Sequence, residues 1–528
     1  MSDRLFQGKP SFGDEPTRPL RFCALVYFVL LGIIVSFVYV YSFNFPQADD
    51  FIFADWYRRF SSGEMRVWDL LFERNTSHPV AVMAAIVIAL SSLVPINFSL
   101  IVGLNVALLL STQLAIVRAV SPWLSPRLRS LAPVLLLLVV FHTSQTNHVL
   151  WPFELCWFLI TFLLVLNCWM IERIAPRWLP LTFAAALAAS LSSAHGIFLW
   201  PTAALLVGLK YGRGQRVMIA AHLLGFAIWA LIILHIKPVE EGHASLGQVP
   251  QLALYVLELF GGTAFAVRDP TTALAFGIAL FGFCAAMVVL AWASQPLTSG
   301  LRVGIVLMAS SFMMAIAFAL GRYQHGLAWA LYRFHAAPQI MPLVAGLLVL
   351  ALALLDRTQS RTLRSVCAVI LVVAVASSLS GVRYALSRAD ESRTSRATAM
   401  HYTCEDKSSY LYAVLNGFSP APGGADVVRR TMPYLCHLCG QPLPHRARVL
   451  SEFPPRFAEL VLQNDGYAQP LRDLWEAYVA SPFLQRMFWI EDGGAADRVI
   501  EFAKSNASQG TPHYADKLKP HESFFSSL

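Results

Sequence analysis

Up to residue 383 the chain alternates long apolar runs with short polar intervals. The runs fall at about 22–43, 79–96, 98–118, 131–150, 153–171, 178–194, 195–209, 217–236, 251–267, 271–293, 303–320, 338–355 and 365–383. Most approach the ~20 residues a helix needs to cross a hydrocarbon core. Proline stands at or near the start of many of them, at 79, 133, 152, 180, 201, 250, 270 and 338, where its missing N–H costs a helix little. The pattern predicts an all-α polytopic membrane protein with about 11 to 13 transmembrane helices. The first run, FCALVYFVLLGIIVSFVYVYSF, is too long for a signal-peptide core and no small-residue cleavage site follows it, so an uncleaved first span is expected.

Two stretches break the pattern. The run 251–267 carries Glu258 and Gly261-Gly262 and reads better as a helix lying along the membrane interface than as a span. The run 79–118 looks like two short helices, yet the basic loop after it requires one net crossing, so one of the two is expected to be re-entrant or partly inserted. From Tyr384 onward the charges are mixed and loop signals such as SPAPGG and QPLPHR appear, with amphipathic helical patterns at 455–463 and 470–480. The division expected is a cytoplasmic tail (1–21), a membrane domain (22–383) whose first exterior loop is 44–78, and a soluble α-rich or α/β C-terminal domain (384–528).

Charge fixes the expected orientation. Arg4, Lys9, Arg18 and Arg21 outweigh the acids of the N-terminal tail, and basic residues recur at Arg118/Arg127/Arg129, Arg173/Arg177, Lys210/Arg213/Arg216, Arg302 and Arg357/Arg361/Arg364. By the positive-inside rule these loops are cytoplasmic. Of 40 Lys/Arg and 32 Asp/Glu, 15 and 16 lie after residue 383, leaving 25 basic against 16 acidic residues in the membrane part. The net charge of +8 is therefore topology and lipid-phosphate chemistry, not a nucleic-acid surface. Cys23, Cys156, Cys168, Cys284 and Cys367 sit in apolar runs as small hydrophobes. Cys404, Cys436 and Cys439 leave room for one disulfide, from Cys404 to Cys436 or Cys439, if that region is exterior. The CHLC segment lacks a second ligand pair at zinc spacing.

With that topology, the polar residues next to spans gather on the exterior side. One group follows the first span: Asp49, Asp50, Asp55, Arg58, Arg59, Glu73, Arg74 and His78. A second is FHTSQTNHVLWPFE, with His142, Asn147, His148, Trp151 and Glu154. A third is SSAHGIFLWP, with His195, and a fourth is GRYQHGLAWALYRFH, with Arg322, Tyr323, His325, Arg333 and His335; Arg268 and Asp269 join them. Each has an ordinary structural reading: Asp49 or Asp50 as a helix cap, His78 as a helix-start residue, His195 as a hydrogen-bonded kink, Arg322 and Arg333 as headgroup anchors. Headgroup anchoring alone does not require acids, histidines and arginines together on one side. A carboxylate can serve as general base toward a hydroxyl, and arginines hold phosphate by bidentate hydrogen bonds. The set fits transfer of a sugar from a polyprenyl-phosphate carrier to a hydroxyl acceptor. The helix FIFADWYRRF is expected to lie in the interface with its aromatics on the bilayer.

This layout resembles the GT-C superfamily of membrane glycosyltransferases. The likeness rests on ADD (48–50) directly after the span 22–43, the loop ending NTSHP (75–79), the segments NHVLWPFE, SAHGIFLWP and ALGRYQHGLAWALYRF, and the tail after 383. The resemblance implies a GT-C-like membrane fold and a bacterial inner-membrane location, with the active site and C-terminal domain in the periplasm. It implies that Asp49 or Asp50 acts as base in an inverting transfer. Arg322 or Arg333, with His78 and His195, would hold the donor phosphate, and Tyr323, Arg268, His148 and Glu154 are further binding candidates. The implied partners are a polyprenyl-phosphate-linked sugar and a glycan, lipid or protein acceptor, with no nucleic acid. No cofactor is required, although a divalent cation held by Asp49 and Asp50 stays open. An O-antigen polymerase or ligase and a lipid-linked sugar flippase are the rival readings. Transporters place charges at mid-membrane in broken helices, whereas the charges here cluster at one interface. No P-loop, dinucleotide fingerprint or GxSxG element occurs.

Overall fold

The structure is a computed structural model. It describes residues 18–46, 50–75, 78–173, 176–236, 248–267, 269–294, 296–322 and 337–383, with parts of 385–400 and 430–439. Fifteen α-helices are formed by the described residues: α1 Arg18–Tyr41, α2 Phe51–Ser61, α3 Ala81–Leu93, α4 Phe98–Val120, α5 Pro126–Val140, α6 Thr146–Val149, α7 Leu155–Arg173, α8 Leu181–Ser190, α9 Leu199–Tyr211, α10 Arg216–Ile236, α11 Val249–Phe265, α12 Pro270–Ala293, α13 Ser299–Arg322, α14 Ala337–Arg357 and α15 Arg361–Ser380. The one β pair among the described residues is a two-residue antiparallel contact, Asn75 opposite His78. Eight of the described segments are long and apolar enough to cross a membrane, and Ala81–Leu93, Leu181–Ser190 and Val249–Phe265 are shorter apolar helices. The chain is an all-α, multi-pass membrane protein, and every apolar run of the sequence overlaps one of these helices, although α5 stops at Val140, ten residues short of the end of the run 131–150.

The hydropathy of a run does not say where it sits in the bundle; packing does. The apolar stretch of α14 is 94% buried, whereas that of α1 has no buried residue. So α14 is the central post, packed against α13, α5, α11, α12 and α15, and α1 lies along the outside against α5. One large apolar cluster runs through α4, α5, α7, α9, α11, α13 and α14.

The two ends of the bundle differ chemically. At one end, basic side chains satisfy the carbonyls that helix C-termini leave open. Lys210 donates to the carbonyls of Ile171 and Glu172, Arg173 to that of Arg118, and Arg357 to that of Pro296. Arg302 makes a bidentate pair with the buried Glu172, both contacts 2.7 Å. These are the residues that the charge pattern assigns to cytoplasmic loops, and they share one end. The other end gathers the turn after α1, the 142–154 segment, the α8–α9 turn and the start of the tail. There Arg393 donates to the Val40 carbonyl and stacks on Tyr41, and Arg396 donates to the Leu150 carbonyl.

The ambiguous run 79–118 resolves into α3 and α4. Just after its start, α3 bonds the α8–α9 turn (Val82 N–H to Leu191 carbonyl, 3.3 Å), and after the short turn that follows it, the N–H of Phe98, the first residue of α4, donates to Asn44 Oδ1 at 2.7 Å. Both ends of α3 therefore sit at the same end of the bundle, and α4 alone makes the crossing. The other expectation changes. Helix α11 does not lie by itself along the interface; it forms a tight antiparallel hairpin with α12, and Tyr255, Glu258, Leu259 and Phe260 are buried. Gly261 of α11 and Gly277 of α12 are the reason. A Cβ at Gly261 would sit 1.8 Å from the Ala273 carbonyl oxygen, and one at Gly277 would sit 1.9 Å from that of Leu257. Bare backbones meet there, as small residues allow between membrane helices.

The amphipathic stretches at 455–463 and 470–480, and most of the C-terminal region 384–528, lie outside the described residues. Within that region Cys439 is disulfide-bonded and Cys436 carries a free, exposed thiol; Cys404 lies outside the described residues.

Candidate functional site

The first loop folds on its own aromatics. Phe51, Phe53 and Trp56 of α2 are fully buried against Met83, Ala84 and Val87 of α3 and against Phe153, with Phe53 and Phe153 stacked at 5.8 Å. The expectation that these rings rest on the bilayer is therefore corrected: the short α3 covers them. The exposed apolar groups of the loop are instead Val67, Trp68, Leu71 and Phe72. The loop charges close on one another. Arg58 pairs with Asp55 (3.1 Å) and Glu64 (2.7 Å), Arg59 with Glu73 (2.6 Å), and Trp56 Nε1 donates to Glu73 at 3.1 Å. The Arg58 hydrogen bond holds the Glu64 carboxyl below its ordinary range. This network braces the loop and commits both arginines to carboxylates.

Asp50 stands at the N-cap position of α2 without capping it. Its backbone is already α-helical and its side chain makes no cap bond. Instead the fully buried carboxylate accepts the Phe153 N–H at 2.9 Å. A carboxylate bond to a backbone donor is among the stronger neutral–ion hydrogen bonds, of roughly 1.5–3 kcal/mol. It ties the exit of the first span to the turn that opens α7. The same turn carries Glu154, whose Oε1 lies 3.2 Å from Nδ1 of His148; both side chains are buried. Asn105 of α4 donates to the Val149 and Trp151 carbonyls and pins the segment from below.

His78 and His195 come together. Their rings stack at 5.7 Å with an interplanar angle of 28°. Trp157, in the first turn of α7, sets its edge against both, at 6.0 Å from His78 and 4.9 Å from His195. Phe318 of α13 closes the far side of His195 at 6.3 Å. His78 gets there by the β pair with Asn75, not as a helix-start residue, since α3 begins at Ala81. His195 gets there because Gly196 lets its turn press against α8: a Cβ at Gly196 would lie 1.9 Å from the Ala189 carbonyl oxygen.

Three of the four polar segments of the sequence thus meet at one end of the bundle, through Asp50, His148, Glu154, His78 and His195. Asp269 stands apart as a helix cap, accepting the Thr272 N–H at 2.8 Å. Asp49, Arg268, Tyr323, His325, Arg333 and His335 lie outside the described residues, as does the side chain of Arg322. Sequence reasoning missed Trp157, which sits between the two imidazoles. In an apolar run a tryptophan reads as core, and only the fold shows that it touches both histidines. Among the described residues no three His, Cys, Asp or Glu side chains form a set able to hold a metal ion. No protein-family model, no curated protein and no solved structure matches the chain.

Proposed function

We propose that the protein is a membrane glycosyltransferase that moves a sugar from a polyprenyl-phosphate carrier to a hydroxyl acceptor at the non-basic end of the bundle. The reading is supported by the convergence of an acidic, a histidine-bearing and an aromatic segment on one membrane face. In the proposed reaction a carboxylate takes the acceptor hydroxyl proton while its oxygen bonds to the anomeric carbon. The bond from that carbon to the phosphate oxygen breaks, and polyprenyl phosphate leaves with the electron pair, giving inversion. Asp50, already bonded to Phe153, suits a positioning role and leaves Asp49 as the base. Arg322 and Arg333 are the proposed hydrogen-bond donors to the carrier phosphate, with Tyr323 and Arg268 as further substrate-binding candidates. His78 and His195 border the reacting region, with Trp157 as an apolar floor for a sugar face, and the His148–Glu154 pair supports it from behind. The disulfide at Cys439 favours an exterior, oxidising location for this end, the periplasm of a bacterial inner membrane.

The test is transfer from a radiolabelled polyprenyl-phosphate sugar in reconstituted vesicles. Asp49→Asn is expected to lose at least about 100-fold in turnover, as removal of a general base does. Arg322→Ala and Arg333→Ala are expected to weaken donor binding. Full activity in both Asp49→Asn and Asp50→Asn would sink the carboxylate mechanism.

A further inference from the structure

The segment CHLC, 436–439, holds two cysteines whose chemistry the proposed reaction does not use. It is seated on the first loop. Leu435 and Leu438 are fully buried in the cluster of Phe43, Phe45, Phe51 and Trp56, and the His437 Nε2–H donates to the Ile96 carbonyl at 2.9 Å. Two leucines and a histidine thus clamp this turn to the membrane domain. The two cysteines differ in state. Cys436 is exposed and its thiol is free, whereas Cys439 is half-buried and disulfide-bonded. All six other described cysteines are free thiols, so the sulfur bonded to Cys439 lies outside the described residues. The Cys436 thiol donates to the Pro433 carbonyl at 3.2 Å, a weak bond that water can replace.

The backbone places the two cysteines for exchange. Residues 436–438 form a 3-10 turn, closed by the Cys439 N–H on the Cys436 carbonyl at 3.1 Å. Cys439 keeps a right-handed helical backbone, with φ −68° and ψ −24°. In such a turn the side chains of residues i and i+3 eclipse, so both cysteines share one face. A four-residue turn holds its end Cα atoms within about 7 Å, and a disulfide spans roughly 4.4–6.8 Å between Cα atoms. A Cys436–Cys439 bond therefore fits while the clamped backbone stays where it is. With Cys439 already in a disulfide, the pair has one free thiolate to offer and is no zinc pair.

We infer that CHLC is a thiol–disulfide exchange site. The Cys436 thiolate attacks Cys439 Sγ. The Cys436–Cys439 bond forms, the bond from Cys439 to its present partner breaks, and that partner leaves as a thiolate. The proton that Cys436 gives up to water returns to the displaced sulfur. One disulfide and one thiol stand on each side of the step, so it needs no oxidant. The consequence is mechanical. While Cys439 holds its partner, another part of the chain is tied covalently to a turn seated on the first loop. After exchange Leu435, His437 and Leu438 keep the turn in place, and the tie is gone. The site lies at the same end of the bundle as Asp50 and His195, but the inference does not depend on the glycosyltransferase reading.

The test uses the full-length protein in detergent, quenched in acid, labelled with N-ethylmaleimide and digested with trypsin. Cleavage after Arg430 and Arg446 puts both cysteines in one peptide, 431–446. At rest that peptide carries a label and is crosslinked to a second peptide. After incubation in mildly alkaline buffer with a trace of reduced glutathione, it is expected unlinked, unlabelled and closed on itself, while a cysteine outside it gains the label. Cys436→Ser removes the nucleophile and should slow loss of the crosslink at least about tenfold. Cys404→Ser removes the other cysteine of the C-terminal region. In that variant Cys436 and Cys439 should close on each other under glutathione disulfide. A crosslink unchanged in the parent protein, equal loss in Cys436→Ser, or a persistent dithiol in Cys404→Ser would overturn the proposal.

Discussion

At the scale of single residues, Asp50 of the acidic pair after the first span is a bonded, buried group. A sequence shows two adjacent aspartates after Pro46 and cannot say which way either side chain turns. The fold turns Asp50 inward onto the Phe153 N–H, a partner 103 residues away that no local pattern reveals. The consequence separates stability from chemistry. Asp50→Ala leaves a buried N–H without an acceptor and is expected to destabilise the protein by about 2 kcal/mol, read as a lowered thermal midpoint in detergent. Asp50→Asn keeps an oxygen acceptor and should lose less than half of that. Equal losses in the two variants would show that the hydrogen bond is not what Asp50 contributes. His78 and His195 were legible as candidates because a histidine beside an apolar span is rarely idle. Their stacking around Trp157 was not legible, since it depends on three elements far apart in the chain.

At the scale of elements, helix existence was plain in the sequence because hydropathy needs only local composition. Helix placement was not, because α3, α8 and α11 are apolar enough for the membrane but shorter than its thickness. What decides them is contact. Helix α3 bonds at both ends to the same side of the bundle and roofs the aromatics of α2. Helix α11 is held to α12 by backbone-to-backbone approach at Gly261 and Gly277. Gly261 was visible in the sequence, but its partner Gly277 on α12 was not. Gly261→Ala must push the two backbones apart. It is expected to cost about 3 kcal/mol, at the upper end for an overpacked site, whereas Gly282→Ala on α12, with nothing within 4 Å of its added Cβ, should be neutral. A thermal-shift comparison of the two in the same detergent checks this, and similar midpoints would refute the close approach.

At the scale of the whole molecule, one end is fastened by cations on helix carbonyls and the other by loops that share an apolar cluster. The positive-inside pattern foretold the first, because it counts charges without needing their partners. It did not foretell that Arg302 and the buried Glu172 would pair across α13 and α7. Arg302→Met strands the Glu172 carboxylate and is expected to cost about 3–5 kcal/mol, while the double change with Glu172→Met should recover most of it. A double-mutant cycle on unfolding midpoints reads the coupling; additive losses would reduce the pair to two independent contacts.

The cluster at the opposite end also sets an order of events in time. Leu435 and Leu438 are buried with Phe43, Phe45, Phe51 and Trp56, and His437 meets the Ile96 carbonyl at 2.9 Å. The first loop leaves the ribosome about 400 residues before the segment that completes its core. At the usual 5–20 residues per second that gap is roughly 20–80 s. For that long α3 and Phe153 cover the rings of α2 while the patch that Leu435 and Leu438 later close stays open at the bundle end, and whatever keeps that patch from sticking elsewhere has to act before translation ends.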